Sequence, residues 1–390
     1  MVPSLALDPL LHLKSLEKVT LEFTTRCNLK CTYCAVSRPW HEKEDLDLEV
    51  FPSLLEEFRT LGVKKVQISG GGETTIVKNW DDYLFQLLDN GIEVSIITNL
   101  AKPLTDRAVR ALSRCVEINT SCDTVDAALY AAIRKGGDFA VFLHNISRIR
   151  AMCLVEGRRI PYLIWNAVAT DKTIGSIDRW TAMGIAVGID HFQISELSKL
   201  DDLPDGLAVD SVGTLPPEKL AEARESVERG RAMAKAAGKW FALLPTVESA
   251  LNGSGVVLRI RTVVEEHEGS KPVLSKALTV LEPSPGSTAT APAPTPAMGP
   301  GKTKNCVMPW TEAYLYASHQ LGPCCMYRDE KPVKAGTFAA ALNTPNLIAM
   351  RNGLLTGNLV YPCTICAMFP EVEVEELQTR VAARLEGRIF

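Results

Sequence analysis

The chain has 390 residues, 46% of them hydrophobic and 23% charged, and a formal net charge of −4 at neutral pH. That length exceeds what a single core usually serves, so one large domain with an appended module is expected, and the composition is that of a globular enzyme rather than a disordered or fibrous chain. No block of lysine and arginine stands ready to neutralise phosphates, no basic leader precedes an apolar core, and no apolar run reaches spanning length; neither nucleic acid nor a membrane is an expected partner, and a cytoplasmic location is expected.

After an N-terminal extension (1–17), β-branched apolar runs alternate with helix-like stretches. Strands are expected at 18–25, 64–69, 92–99, 115–121, 161–170 and 188–195, with helices such as 48–61 and 79–90 between them. Buried strands alternating with helices imply a parallel sheet joined by right-handed crossovers. Over residues 18–215, six such units give an α/β fold, a partial (β/α)6 barrel of the triosephosphate isomerase kind. In such barrels the functional loops gather at the C-terminal ends of the strands. Residues 216–282 read as a bridging region: an amphipathic helix over 216–238, then two strands, KWFALLP and GVVLRIRTVV, that extend the barrel edge or lead to the next module. Residues 283–301 carry six prolines in a Pro, Ala, Thr composition that sustains neither helix nor ladder, hence a linker or loop. A small α+β domain over 302–372 and a C-terminal helix over 373–390 complete the chain.

Eleven cysteines are too few for a disulfide-dense scaffold, and their close spacings point to metal binding in a reducing compartment. TTRCNLKCTYC places Cys27, Cys31 and Cys34 in a loop directly after the first strand. Thiolates are soft ligands that iron-sulfur clusters and zinc both accept, and three of them on a cubane leave one iron open. Structural zinc normally closes with four ligands, and His41 is the only local candidate for the fourth. SGGGETT (69–75) ends the second strand, where glycine admits a close backbone approach and a carboxylate can pair with an ammonium. Asn99 ends the third strand, Ser121 and Asp123 the fourth, and Asn166 lies on the fifth; strand-end capping explains these single polar residues as readily as ligand contact.

With this triad, and with the aromatic Tyr33 before its last cysteine, the chain resembles the radical S-adenosylmethionine (SAM) superfamily. The resemblance implies a [4Fe-4S] cluster whose open iron is chelated by the amino and carboxylate groups of SAM, and one-electron cleavage of SAM to a 5'-deoxyadenosyl radical. It also implies that Gly71, Gly72 and Glu73 meet the SAM amino group, with Tyr33, Asn99 and Ser121 nearby; Thr74 stands where the family often has proline.

The second cysteine set comprises Cys306, the Cys324–Cys325 pair, and Cys363 with Cys366. Taken alone, such thiols suit a zinc ribbon as readily as a cluster. The C-x2-PW opening, the PCC step, RNGLLTG and the final C-x2-C resemble the SPASM or twitch extension of radical SAM proteins, which implies an auxiliary [4Fe-4S] cluster. No cysteine follows Cys366, so the one-cluster twitch form is expected, with Cys306, Cys324, Cys363 and Cys366 as ligands and Cys324 favoured over Cys325. Cys115, Cys122 and Cys153 read as buried small hydrophobes, with Cys122 a side candidate for a hydrogen-atom donor beside Ser121. His191 and Glu196 read as strand-end polar groups that could also contact substrate or assist proton removal.

The resemblance implies a radical SAM oxidoreductase or related enzyme that abstracts hydrogen from a small molecule and passes an electron to the auxiliary cluster, with reducing equivalents from a flavodoxin or ferredoxin type donor. A maturase acting on a ribosomally made peptide is the second expectation. Such enzymes often carry an N-terminal leader-recognition domain, and the seventeen residues before the first strand weigh mildly against it. A non-enzymatic iron-sulfur or zinc protein is the third, and it leaves the glycine-glycine-glutamate motif without a purpose.

Overall fold

The strand-helix alternation is realised in order. The computed structural model describes residues 7–39, 41–197, 199–200, 209–253, 256–265, 273–283, 299–329, 332–366 and 368–386. The barrel elements are β1 (Lys18–Leu21), α1 (Phe51–Thr60), β2 (Lys65–Ile68), α2 (Trp80–Asp89), β3 (Glu93–Thr98), α3 (Asp106–Leu112), β4 (Glu117–Ser121), α4 (Phe139–Val155), β5 (Tyr162–Ala169), α5 (Ile177–Val187) and β6 (His191–Glu196). Each of these strands pairs in parallel with the next along the chain, so β1 to β6 form the expected partial barrel. Alternate strand residues such as Val66, Ile96, Ile118, Trp165 and Phe192 are buried on the face toward the helices, and the other face is left half-exposed. The helices answer with apolar stripes, Phe51, Leu54 and Phe58 on α1 being an example. Gly184 on α5 brings that helix so near the sheet that a Cβ there would sit 2.3 Å from the Phe192 ring.

Two expected boundaries are revised. The sheet does not stop at residue 215. Helix α6 (Pro217–Ala236) leads into β7 (Trp240–Leu243), which joins β6 in parallel, so KWFALLP extends the barrel edge. The second strand of that region, Val256–Glu265, pairs antiparallel with Val273–Pro283 outside the barrel sheet. The cysteine-bearing region also enters the barrel: β8 (Glu312–Leu315) lies parallel to β1 and turns back into β9 (Leu321–Gly322). The whole sheet runs β7-β6-β5-β4-β3-β2-β1-β8-β9 and does not close. Most of the proline-rich linker, 284–298, lies outside the described residues. Among the described residues no helix is long and apolar enough to cross a membrane.

The RNGLLTG stretch acts as a structural clamp. It belongs to α7 (Pro345–Thr356), and Arg351 is 1% exposed. Its guanidinium donates to the carbonyls of Pro309, Leu11 and Leu342 and to Asn343 Oδ1, so one side chain joins the N-terminal extension to the C-terminal region. Burial lowers its pKa to about 10, which leaves it charged at neutral pH. Gly353 passes 2.6 Å from Asn358 O at the position a Cβ would take, and Gly357 ends the helix at φ 78°. Trp310 of the PW pair is fully buried and donates from Nε1 to Leu10 O at 2.7 Å. The extension before β1 is therefore part of the core, held by Leu10, Leu13 and Leu16. Arg351→Ala should leave several buried carbonyls unpaired and lower stability by roughly 3 kcal/mol or more. Urea unfolding of the metal-free protein measures this; a loss under 1 kcal/mol would show that the clamp is dispensable.

Candidate functional site

The loop after β1 holds the first thiol set, and its path is fixed on two sides. On one side Lys30 and Cys31 pair antiparallel with Lys135 and Arg134, and Thr32 N–H donates to Ile133 O at 2.9 Å. On the other, Thr24 and Arg26 pass so close to Gly72 that a Cβ there would meet their backbone atoms at 2.3 to 2.8 Å. Cys27, Cys31 and Cys34 share one apolar cluster with Leu29, Tyr33 and Ala101. Cys27 Sγ accepts from Leu29 N–H at 3.4 Å and from Asn99 Nδ2 at 3.6 Å. Burial pushes the Cys31 thiol up to about 12; Arg134 opposes this, and Cys34, Asp123 and Cys27 add to it. Cys27 is also raised, chiefly by burial, with Glu73 and Cys34 contributing. A cleft of about 950 Å³ opens beside the loop, lined by Cys27, Leu29, Val36, His41 and Ile76 among others. His41 Nε2 lies 3.2 Å from Thr25 O, which ties the ring to the backbone.

The three glycines differ in role. Gly72 is required by the thiol loop, and a Cβ on Gly70 would meet Glu22 at 2.3 Å. Gly71 is open: a Cβ there meets nothing nearer than 3.6 Å. Its N–H donates to Glu22 Oε1 at 2.6 Å. Glu73 is buried, and its Oε1 accepts from Thr98 Oγ1 at 2.8 Å and Thr75 N–H at 3.1 Å, while Oε2 accepts from Asn99 N–H at 2.7 Å. Three of roughly four acceptor sites are thus filled within the chain, leaving one for a ligand donor. Asn99 is engaged at both ends, Oδ1 accepting from Ala101 N–H at 2.9 Å and Nδ2 donating to Asn28 Oδ1 at 2.9 Å.

Tyr33 does not stand free. Its hydroxyl donates to Asp123 Oδ2 at 2.8 Å and accepts from Arg134 Nη2 at 3.1 Å. Asp123 also takes Arg134 Nη2 at 2.9 Å and Val168 N–H at 3.0 Å, so the carboxylate expected to face a ligand is occupied within the chain. Burial works against the Arg134 charge, and Asp123, Tyr33 and Cys31 more than offset it. Ser121 pairs with Asn166 across β4 and β5. With Gln67, Ser95, Asn119 and Gln193 they make a half-buried polar face inside the barrel, which toward the strands' starts also carries Lys18, Glu117 and Glu312. Among the described residues, Asn119 Oδ1 and Asn166 Oδ1 have no hydrogen-bond partner.

Three side candidates leave the site. Cys122 is fully buried, alternates away from the Ser121 face, and its thiol donates to Thr124 O at 3.4 Å; it is no hydrogen-atom donor to this chamber. His191 starts β6 and so lies at the barrel end opposite the thiols. Glu196 turns toward the helix layer, where Ser211 Oγ donates to it at 2.6 Å. Burial raises the Glu196 carboxyl to about 7 against that hydrogen bond.

The second thiol set surrounds one small apolar cavity lined by Cys306, Cys324, Cys325, Cys363 and Cys366 with Met308, Met350 and Leu354. Cys325 is exposed and the other four are half-buried. Burial pushes Cys306 up to about 12 and Cys363 to about 11, and neighbouring thiols add to both, Cys363, Cys324 and Cys366 acting on Cys306. The hairpin that carries Cys324 needs two special backbones. Gly322 sits where a Cβ would fall 1.8 Å from Tyr327 O, and His319 takes φ 64°, the left-handed conformation that glycine usually supplies.

Residues 21–155 match the sequence profile of the radical SAM superfamily. These residues form a radical SAM domain. The chain is 25% identical over 171 residues to the mycofactocin maturase MftC of Mycobacterium ulcerans, covering 44% of each protein. It is 31% identical over 127 residues to a probable GTP 3',8-cyclase of Archaeoglobus fulgidus, covering 32% of this chain and 42% of that one. The chain thus spans less than half the length of these relatives. In fold it resembles Streptococcus suis SuiB, solved with S-adenosylmethionine, at TM-score 0.54 and 16% identity over 88% of this chain and 69% of that one.

Among the described residues no three His, Cys, Asp or Glu side chains group closely enough to hold a single metal ion. A cubane takes each thiolate on a different iron, so its sulfurs stand further apart than those around one zinc. Thiols raised by burial in apolar surroundings ionise when a cation replaces the proton, as a cluster iron does. Both thiol sets fit that chemistry. Of the partners that the sequence reading left out, Glu22 is visible there as a lone acid inside an apolar strand, whereas nothing near Arg134 in the sequence points to the Cys31 loop.

Gly72→Ala should displace the thiol loop and lower iron uptake under anaerobic reconstitution at least fivefold, while Gly71→Ala should load iron normally; equal uptake by both variants would contradict this division. Glu196 gives a pH prediction. Its folded pKa is raised above the unfolded value, so its stabilising contribution is full below about pH 4.5 and is lost as pH rises through about 7. Glu196→Gln should flatten that decline, gaining on the order of 2 kcal/mol over the parent at pH 8 relative to pH 5; parallel stability curves for the two proteins would refute it.

Proposed function

We propose that this chain is a radical SAM enzyme in which Cys27, Cys31 and Cys34 hold a [4Fe-4S] cluster with one open iron, and Cys306, Cys324, Cys363 and Cys366 hold an auxiliary [4Fe-4S] cluster of the SPASM or twitch kind. The observation that carries this is the unlike form of the two thiol sets: three thiols beside an open cleft and a glycine loop, against five lining one small apolar cavity. When bound, the first cluster with SAM supplies a 5'-deoxyadenosyl radical. The chain's own residues do the rest. Gly71 leaves room for a ligand backbone-close, Glu73 keeps one acceptor position for the SAM ammonium, and Asn99 directs its amide at the Cys27 sulfur. Hydrogen bonds to cluster sulfurs tune reduction potential. Cys324 is favoured over the exposed Cys325 because it shares the buried field of Cys306 and Cys363.

The substrate is a small, polar molecule that loses a hydrogen atom and then an electron. The orphan acceptors Asn119 Oδ1 and Asn166 Oδ1, on the chamber face, support a hydroxyl- or amine-bearing ligand. The electron donor is of flavodoxin or ferredoxin type. A peptide substrate is the second reading, supported by the maturase relative and by the fold likeness to SuiB, which has been solved bound to its precursor peptide SuiA. Anaerobically reconstituted protein should hold about eight irons and cleave SAM under dithionite. Cys31→Ala should abolish cleavage, whereas Cys363→Ala should retain it with about four irons. Cleavage that survives Cys31→Ala, or tightly bound zinc in place of iron, would overturn the reading.

A further inference from the structure

Two tyrosines unused by the function above lie between the thiol sets. Tyr314 on β8 faces the chamber, and its hydroxyl donates to Ser69 O at 3.3 Å, one residue before the glycine run. Tyr316, buried just past β8, donates to Cys324 O at 3.0 Å. Their rings stack at 4.4 Å with 26° between planes. A second tie runs alongside: Glu22 accepts from Gly71 N–H with one oxygen and from Ala317 N–H with the other, at 2.6 and 3.2 Å. The stack is thus pinned at one end to the glycine loop and at the other to a proposed ligand of the auxiliary cluster.

We propose that the stacked Tyr314 and Tyr316 rings are the electron path between the barrel chamber and the second thiol set. This rests on the two-cluster reading given above. One electron leaves the substrate radical of the proposed function, which is oxidised and loses a proton on the chamber side, or in the absence of substrate the reduced first cluster, and arrives at the auxiliary cluster, which passes from the 2+ to the 1+ state. No bond is made or broken in either ring and neither hydroxyl gives up its proton. Both hydroxyls donate to backbone carbonyls, which cannot take the proton that forming a neutral tyrosyl radical would release. The Arg328 guanidinium carbon, 4.0 Å from the Tyr316 ring centroid, further disfavours positive charge on that ring. The rings therefore serve as a packed π bridge and are not themselves oxidised. Aromatic contact, and not the hydroxyls, is what the path requires.

The test uses the fully reconstituted protein without SAM or substrate, so that it reads electron movement and not turnover. Sub-stoichiometric electrons are delivered by flash photolysis of 5-deazaflavin with EDTA, and redistribution between clusters is followed by absorbance and freeze-quench EPR. The parent should show a first-order phase independent of deazaflavin concentration. In the Tyr314→Leu/Tyr316→Leu double variant that phase should slow at least tenfold, and in the Tyr314→Phe/Tyr316→Phe variant it should stay within threefold of the parent. An unchanged rate in the leucine variant overturns the proposal, as does an equal slowing in the phenylalanine variant, which would assign the hydroxyl hydrogen bonds a positioning role only. If the leucine double variant does not load both clusters, the single Tyr314→Leu variant decides by the same criteria. Iron content and EPR of Cys27→Ala and Cys363→Ala proteins separate the two levels. A missing cluster in the parent defeats the proposed function itself, whereas two clusters with no dependence on the rings defeat only the path.

Discussion

Glu22 is 2% exposed, and each of its oxygens accepts a backbone N–H, one from Gly71 and one from Ala317. A carboxylate taken that far out of water is tolerated only where hydrogen bonds replace its hydration. Here the replacement comes from two loops more than two hundred residues apart in sequence, so the residue that directly follows β1 fixes the glycine run against the hairpin of the second thiol set. Removing that constraint would free the two halves of the proposed site from one another. The parallel pairing of β1 with β8 makes the coupling rigid, since a register slip by one residue would turn Tyr314 away from the chamber.

A second buried charge group plays the matching part on the other side of the first thiol loop. The Asp123–Arg134 pair, with side chains 1% and 7% exposed, holds the Tyr33 hydroxyl and lies within the field of Cys31. Buried ion pairs add little to stability on balance, and their best-attested use is to fix a unique arrangement. In this chain the pair sits where the two-residue ladder between Cys31 and Arg134 anchors the loop, so its physical effect is to hold the backbone between Cys31 and Cys34 in one conformation. The positive guanidinium also opposes the burial of negative charge that ligand thiolates bring.

Much of the barrel was legible because its signals are local. Six strands with β-branched runs, spaced by amphipathic helices, leave few topologies, and the structure adopts the sequential parallel order. The thiol spacings and the glycine-glycine-glutamate run were legible for the same reason. For Asp123 and Asn99 the two readings stayed open in the sequence, because a polar residue at a strand end looks alike whether its partner is a ligand or a distant arginine; the structure gives Asp123 to Arg134 and turns Asn99 toward Cys27 and Asn28. Cys122 is the buried small hydrophobe expected, and its side reading as a hydrogen-atom donor fails by one residue of strand alternation, which sends it to the helix side while Ser121 faces inward. The edge of the barrel was drawn too early because the short β7 segment carries no periodic signal that distinguishes a sheet edge from a linker.

By itself the sequence determined the order of elements, the identity of both thiol sets and the residues with room for a ligand near the backbone, since these depend on side-chain type and on spacing along a few turns or strands. Only the tertiary structure decided that β8 enters the barrel sheet, that the N-terminal extension is clamped by Arg351, and that Glu22 and the tyrosine stack join the two thiol sets. Those facts rest on pairings between segments remote in the chain, where hydrogen bonds and ring contacts form only after the sheet has brought them together, and no local pattern encodes which remote partner will be met.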